Sequence, residues 1–116
     1  MKAKYLLCGI VMFLMCSAVV HAEELKPVEM TGYCLKGIMA NGEKTHAGVC
    51  AYRKCDVGKI AVLYDENKEL IGKYEIADVG GTKAIKKGYV VDVWFPTAKE
   101  CFAFTKKGYI QIKEEN

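Results

Sequence analysis

Residues 75–95, EIADVGGTKAIKKGYVVDVWF, contain two apolar runs that each include one aspartate. The first run ends at Asp78, and the second, which spans 89–95, contains Asp92. Their β-branched and aromatic residues are typical of strands. The glycine pair and lysine-rich loop between the runs indicate a turn or a short connection. The segment therefore predicts two strands that each carry one carboxylate.

The rest of the chain continues this pattern of short strands. Asn41-Gly42 predicts a tight turn, since glycine readily takes the positive φ that such turns need. The run 59–65 is almost wholly apolar, which predicts burial on both of its faces. The predicted strands span residues 29–35, 47–52, 59–65, 70–78, 89–95 and 109–113.

One helix is predicted after Pro96. Thr97 and Glu100 have the spacing of a capping box, in which two side chains satisfy the free amides at a helix start. Cys101 and Phe104 lie three residues apart and can face the core together. Six short strands and one helix predict an all-β (mainly) fold, a small closed barrel.

The first 22 residues have the features of a secretory signal peptide. Lys2 and Lys4 precede an apolar run over 5–20, and Val20-His21-Ala22 provides small residues for cleavage. A lipoprotein site at Cys16 and an uncleaved membrane anchor are the alternatives. We therefore expect a signal peptide over 1–22, a linker over 23–28 and a barrel domain over 29–114, located outside the cytoplasm.

Charge and cysteine content narrow the class of protein further. Loss of 1–22 removes two lysines and no acid, so the net charge falls from +3 to +1, which excludes a basic nucleic-acid-binding footprint. Four cysteines remain, an even number that favours disulfides in an exported domain, with buried thiols as the alternative. A zinc site is disfavoured because the chain has no CxxC pair and His46 is the only histidine after the leader. We expect no metal and no other cofactor. The disulfide candidates are Cys34, Cys50, Cys55 and Cys101.

The two aspartates have two alternative explanations. Strand alternation places Asp78 on the face of Tyr74 and Ile76, and Asp92 on the face of Val90 and Trp94. Apolar neighbours disfavour the charged form and raise the pKa, as a general acid requires. Alternatively, each carboxylate accepts backbone N–H groups at a strand end, which lowers its pKa.

Residues 31–51, TGYCLKGIMANGEKTHAGVCA, and 77–96, ADVGGTKAIKKGYVVDVWFP, resemble the 3D domain, a family named for three aspartates. Its members include membrane-bound lytic transglycosylase A, resuscitation-promoting and stationary-phase survival proteins, and prophage-type proteins. The resemblance extends over 31–112. It implies a six-stranded double-psi β-barrel.

The resemblance also implies an activity. The enzymes of the family cleave the β-1,4 bond between N-acetylmuramic acid and N-acetylglucosamine in peptidoglycan, and they leave a 1,6-anhydro sugar. The resemblance implies a lytic transglycosylase that acts on the O-glycosyl bonds of glycan strands. Such a protein would be exported, associated with the cell wall and monomeric. Asp78 would be the general acid/base, and Asp92 would tune its pKa and help hold the sugar. The alternative is a non-catalytic glycan-binding barrel, and a third hypothesis is a structural protein joined by disulfides.

The chain departs from the family at the first aspartate, where Arg53 stands. Asp56 is nearby and is the substitute acid that the sequence offers, whereas Arg53 itself could pair with a carboxylate of the site. Tyr33 and Trp94 are candidates for stacking on sugar rings, although core packing is the favoured interpretation of Trp94. The expected substrate-binding residues are Tyr33, Gly80, Gly81, Thr82 and Trp94.

Overall fold

Six strands close into a barrel in the computed structural model, which describes residues 24–114. The strands are β1 (Lys26–Tyr33), β2 (Val49–Tyr52), β3 (Ile60–Asp65), β4 (Leu70–Val79), β5 (Val90–Trp94) and β6 (Lys106–Lys113). A 3₁₀ turn covers Lys54–Asp56, and the two short helices are α1 (Lys83–Lys86) and α2 (Ala98–Ala103). The prediction of a small closed β-barrel with a helix after Pro96 is confirmed. The predicted signal peptide lies outside the described residues.

The strand order around the barrel is β1-β5-β2-β4-β3-β6. The pairs β1–β5 and β2–β4 are parallel, and the other neighbours are antiparallel. Neither parallel pair is consecutive in sequence, as parallel pairing requires a crossover between the two strands. The chain therefore inserts β5 between β1 and β2, which brings the segments around both aspartates onto neighbouring strands.

The barrel interior is filled by alternate residues of the strands. On β5, Val91 and Val93 are fully buried inside, and on β2 Cys50 and Tyr52 take that role. Residues 60–63 of β3 are all buried, as the apolar run predicted. The interior set is Val28, Met30, Cys50, Tyr52, Ala61, Leu63, Ile76, Val91, Val93, Phe104 and Ile110.

A second apolar cluster lies on the outside of the barrel beneath the connection from β1 to β2. Residues 34–48 of this connection, named here the 34–48 hairpin, contain a bridge between Ile38 and Lys44. The amide of Gly42 donates to the Met39 carbonyl oxygen at 2.9 Å, and Gly42 has φ of +89°. This is the turn predicted at Asn41-Gly42. The second cluster comprises Met39, Val49, Ala77 and Trp94, with Tyr33 packed against it.

Several strand boundaries differ from the predictions, such as the start of β2 at Val49 rather than at residue 47 and the start of β6 at Lys106 rather than at residue 109. β1 begins at Lys26, inside the predicted linker, because residues 26–30 pair with β6. β1 also ends at Tyr33 rather than at residue 35. Helix α1 was not predicted; the Thr82 hydroxyl begins it by accepting from the Ile85 amide at 3.3 Å. Among the described residues, no helix has the length and apolar character needed to cross a membrane.

Candidate functional site

Four residues form one row across four neighbouring strands. Thr31 on β1 lies opposite Asp92 on β5. Asp92 also lies opposite Ala51 on β2, which in turn lies opposite Asp78 on β4. Opposed residues of neighbouring strands project to the same face, and Cys50 and Tyr52 on either side of Ala51 point inward. The row Thr31–Asp92–Ala51–Asp78 therefore faces outward, with the two aspartate Cα atoms about 10 Å apart.

The face predicted for Asp78 is wrong. Its predicted neighbours, Tyr74 and Ile76, pack in the barrel interior. The pairing of β2 with β4 shifts so that Cys50 lies opposite Ile76 but Ala51 lies opposite Asp78, which leaves Ala77 as an extra residue. Such a bulge reverses the alternation beyond it. It therefore moves Asp78 to the outer face, together with Asp92.

Asp92 lies in a partly buried position and has no charged partner among the residues that the structure describes. The Thr31 hydroxyl donates to its Oδ1 atom at 2.8 Å. Burial raises the pKa of Asp92, and the Thr31 hydrogen bond offsets part of that rise. The predicted face, shared with Trp94, and the predicted direction of the pKa shift are both confirmed. A carboxyl group with a raised pKa keeps its proton to higher pH, so Asp92 has the property of a general acid.

Asp78 instead accepts backbone N–H groups at the end of its strand, the second arrangement considered for the aspartates. Its Oδ1 atom accepts from the Ala40 amide at 3.0 Å and from the Val79 amide at 2.9 Å. The first of these bonds attaches the 34–48 hairpin to the end of β4. Within residues 24–114, no side chain or amide donates to its Oδ2 atom, which leaves that oxygen available to a ligand.

Tyr33 provides a hydroxyl group beside the two carboxylates. Its hydroxyl oxygen is buried and, within the described part of the chain, has no hydrogen-bond partner. Burial raises the pKa of Tyr33, and the charges of Asp78 and Asp92 raise it further. A buried phenol without a partner is uncommon and costs free energy. The site therefore contains two carboxylates and one hydroxyl group, that of Tyr33, which makes no hydrogen bond within the described residues.

Trp94 packs mainly in the second apolar cluster. Only 7% of its surface is exposed, and its Nε1 atom donates to the Leu35 carbonyl oxygen at 2.9 Å. The core-packing alternative is therefore confirmed for most of the indole. The rest of the ring lines a groove of about 360 Å³ together with Lys36, Gly37, Ile38, Lys44 and Thr45. This hairpin was not predicted to belong to the site, although its Asn-Gly turn was a visible signal.

The diglycine beside Asp78 has two different environments. A Cβ atom on Gly80 would overlap the buried side chain of Ile85, so Gly80 is needed for the packing of α1. A Cβ atom on Gly81 would have nothing within 4 Å. Thr82 is occupied as the N-cap of α1. Of the three residues predicted to bind substrate here, Gly81 is the one that a ligand can approach freely.

Asp56 lies apart from the row and is surrounded by cations. Its side chain is 4% exposed, and it pairs with Arg53 Nε at 2.7 Å and with Lys59 Nζ at 3.3 Å. Arg53 therefore pairs with Asp56 and not with Asp78 or Asp92. These three residues, named here the Asp56 cluster, fix the 3₁₀ turn. Asp56 is not brought together with the carboxylates of the row.

The four disulfide candidates are all free thiols in the described residues. Cys50 is in the barrel interior, where burial raises the pKa of its thiol, and Cys55 is exposed. Burial raises the pKa of the Cys101 thiol, and the neighbouring Cys34 raises it further, so the start of the 34–48 hairpin lies near α2. Among residues 24–114, no three His, Cys, Asp or Glu side chains converge as metal ligands would.

Comparisons of the chain with family models, with curated proteins and with solved structures find no match. The chemistry of the site is therefore inferred from its own residues.

Proposed function

We propose that this protein is an exported lytic transglycosylase that cleaves the bond between N-acetylmuramic acid and N-acetylglucosamine in peptidoglycan, with Asp92 as general acid and base. The observation that carries the proposal is the environment of Asp92. Burial raises its pKa, no cation pairs with it among residues 24–114, and a second carboxylate lies across Ala51. A proton donor on an outward face, beside an anion, fits cleavage of a glycosidic bond.

The reaction needs one group that gives and then takes a proton. The protonated Asp92 carboxyl donates to the glycosidic oxygen as the bond to the anomeric carbon breaks. The resulting carboxylate then removes the proton of the muramyl 6-hydroxyl as that oxygen bonds to the anomeric carbon. Asp92 ends protonated again, and no water is added. Glycosidases that add water use two carboxylates in separate roles instead.

Asp78 and Tyr33 have supporting roles in this proposal. The resemblance to the 3D domain gave the proton-transfer role to Asp78, and we assign it to Asp92 because burial raises the pKa of Asp92. Asp78, about 10 Å away between Cα atoms, supplies negative charge next to the positive charge that develops on the sugar. The Tyr33 hydroxyl, which has no hydrogen-bond partner within residues 24–114, supplies a hydrogen bond to a sugar oxygen once a small movement of the side chain exposes it.

The sequence supports the substrate class. Residues 31–51 and 77–96 resemble the 3D domain, whose enzymes act on peptidoglycan, and a closed six-stranded barrel agrees with the fold that this resemblance implies. The leader-like residues 1–22 support export to the cell wall.

The test is to incubate the protein with purified peptidoglycan and to identify the products by mass spectrometry. We expect 1,6-anhydromuropeptides from the wild type and a loss of at least about 100-fold in Asp92→Asn. Asp65→Asn is the matched control, since Asp65 accepts turn amides on β3 and lies outside the row. Absence of anhydro products from the wild type, or equal rates in Asp92→Asn, would show the proposal to be wrong.

A peptidoglycan-binding barrel without activity is the second candidate. The observation that favours it is Arg53, which stands where the family has its first aspartate and is occupied by Asp56. Sedimentation with insoluble peptidoglycan separates the two candidates. Binding without products at any pH supports the binding module.

A further inference from the structure

The groove between the 34–48 hairpin and the end of β5 has its own chemistry. Its volume of about 360 Å³ is in the range of small-ligand pockets. The hairpin walls are held in place, because Thr45 Oγ1 accepts from the Gly37 amide at 3.3 Å and the Thr45 amide donates to the Gly37 carbonyl oxygen at 2.9 Å. The groove therefore exists without any rearrangement of the chain.

Two lysines give the groove a positive charge. Lys36 and Lys44 both line it, and neither forms an ion pair with an acidic residue in the described part of the chain. Ile38, which lies between them in the hairpin, is 67% exposed and adds apolar surface. Unpaired cations beside apolar surface favour a ligand that carries carboxylates and small apolar groups.

The groove lies close to the aspartate row. Trp94 lies two residues after Asp92 on β5, which corresponds to about 7 Å along the strand. Ala40, in the same hairpin, donates its amide to Asp78 at 3.0 Å. A substituent of a sugar bound at the row can therefore reach the groove. The indole is too buried to offer a wide stacking face, which favours a peptide over a second sugar ring.

We propose that this groove binds the acidic peptide stem of the muramic acid residue, with the stem carboxylates at Lys36 and Lys44 and its alanine methyl groups against Ile38 and Trp94. This rests on the proposed function, because it takes the glycan strand to lie along the aspartate row. It makes the protein selective for strands that carry acidic stems.

The test measures binding of a disaccharide muropeptide, N-acetylglucosaminyl-N-acetylmuramyl peptide, by calorimetry. This probe lacks the bond that is cleaved, so binding is measured without turnover. The comparison ligand is the same muropeptide with its carboxylates converted to amides. We expect the wild type to bind the acidic form about tenfold more tightly, because two exposed ion pairs contribute up to about fivefold each.

The matched variants are Lys36→Gln/Lys44→Gln and Lys73→Gln/Lys113→Gln. We expect the first pair to abolish the preference for the acidic probe and the second, on strands β4 and β6 away from the groove, to keep it. Salt at about 0.5 M should also reduce the preference in the wild type.

Each outcome separates this inference from the proposed function. If the wild type binds both probes equally or binds neither, or if the groove variant keeps the preference, the inference is overturned. If the preference depends on Lys36 and Lys44 but no anhydro products form from peptidoglycan, the groove assignment stands and the catalytic proposal fails. If anhydro products form while the carboxylates make no difference to binding, the groove assignment alone fails.

Discussion

The molecule holds aspartates in two contrasting surroundings. Asp56 is almost fully buried, and both of its oxygens are engaged by cations, Arg53 and Lys59. Asp92 is less buried, accepts one hydrogen bond from a neutral hydroxyl and has no cation beside it within residues 24–114. The two ion pairs of Asp56 fix a backbone turn. A carboxyl group with a neutral partner can exchange a proton, as catalysis requires.

The largest expected effect on stability comes from the Asp56 cluster. Asp56→Asn removes the charge that both cations require, and loss of one partner of a buried ion pair costs about 3–5 kcal/mol. Arg53 is 31% exposed on its side chain and can regain hydration, so we expect about 2–3 kcal/mol here. Urea unfolding followed by circular dichroism measures this loss.

The same variant also tests whether Asp56 is a substitute acid. We expect folded Asp56→Asn protein to form anhydro products at the wild-type rate per folded molecule. If folded Asp56→Asn protein formed anhydro products much more slowly, Asp56 would belong to the catalytic machinery. The contrast between Asp56 and Asp92 would then be wrong.

The two glycines that follow Val79 also differ in role. Gly80 is needed for packing, whereas Gly81 is accessible to a ligand. Gly80→Ala forces a methyl group into Ile85, and overpacking of this kind costs about 1–3 kcal/mol, so we expect about 2 kcal/mol. Gly81→Ala is the matched control, with space around it, and should change stability by at most about 0.5 kcal/mol. Thermal unfolding of both variants measures the difference. Equal losses in the two variants would contradict the packing seen at α1.

Local signals in the sequence predicted local structure well. The capping box is present as predicted: the Glu100 amide donates to Thr97 Oγ1 at 3.3 Å, and the Thr97 hydroxyl donates to the Glu100 carboxylate at 3.0 Å. The turn at Gly42 and the buried run of β3 are confirmed as well. Each of these features depends on residues within a few positions of one another, which is why a single sequence can reveal them.

Non-local pairing limited the prediction of the site. The face of Asp78 was wrong because the bulge at Ala77 arises where β4 pairs with β2, and nothing in the residues of β4 alone signals it. The alternation held for Asp92 because β5 has no bulge. The partner of Arg53 and the hairpin amide that holds Asp78 were likewise decided by contacts that a single sequence does not display.

The raised pKa of Asp92 predicts a specific dependence of stability on pH. The folded state holds the Asp92 proton more tightly than the unfolded state does, so ionisation as the pH rises costs the folded state stability. Asp92→Asn lacks this cost. We therefore expect the free energy of unfolding of Asp92→Asn, relative to the wild type, to increase between about pH 3 and pH 7. Urea unfolding at several pH values gives the difference.

Asp65→Asn is the control for this experiment, as Asp65 ends β3 and accepts from two backbone amides of the following turn. A difference between Asp92→Asn and the wild type that stays flat or decreases with pH would mean that burial does not favour the protonated form of Asp92. Anhydro product formation by the wild type should decline as the pH rises above the pKa of Asp92, since the acid form is the one that donates.

The smallest expected effect on stability comes from Tyr33→Phe. This variant also separates a role in packing from a role in catalysis. Tyr33→Phe removes a buried hydroxyl that has no hydrogen-bond partner within residues 24–114, so stability should be unchanged or higher by about 0.5 kcal/mol. Product formation should fall about fivefold, since a neutral hydrogen bond to a sugar oxygen contributes about 1 kcal/mol.

Tyr52→Phe is the matched control, because the Tyr52 hydroxyl donates to the Gly88 carbonyl oxygen at 2.8 Å and lies inside the barrel. That variant should lose about 1 kcal/mol of stability and keep its activity. The two tyrosines should therefore respond in opposite ways in unfolding and product assays. If Tyr33→Phe keeps full activity, its hydroxyl only packs beside the row, and Asp92 acts without it.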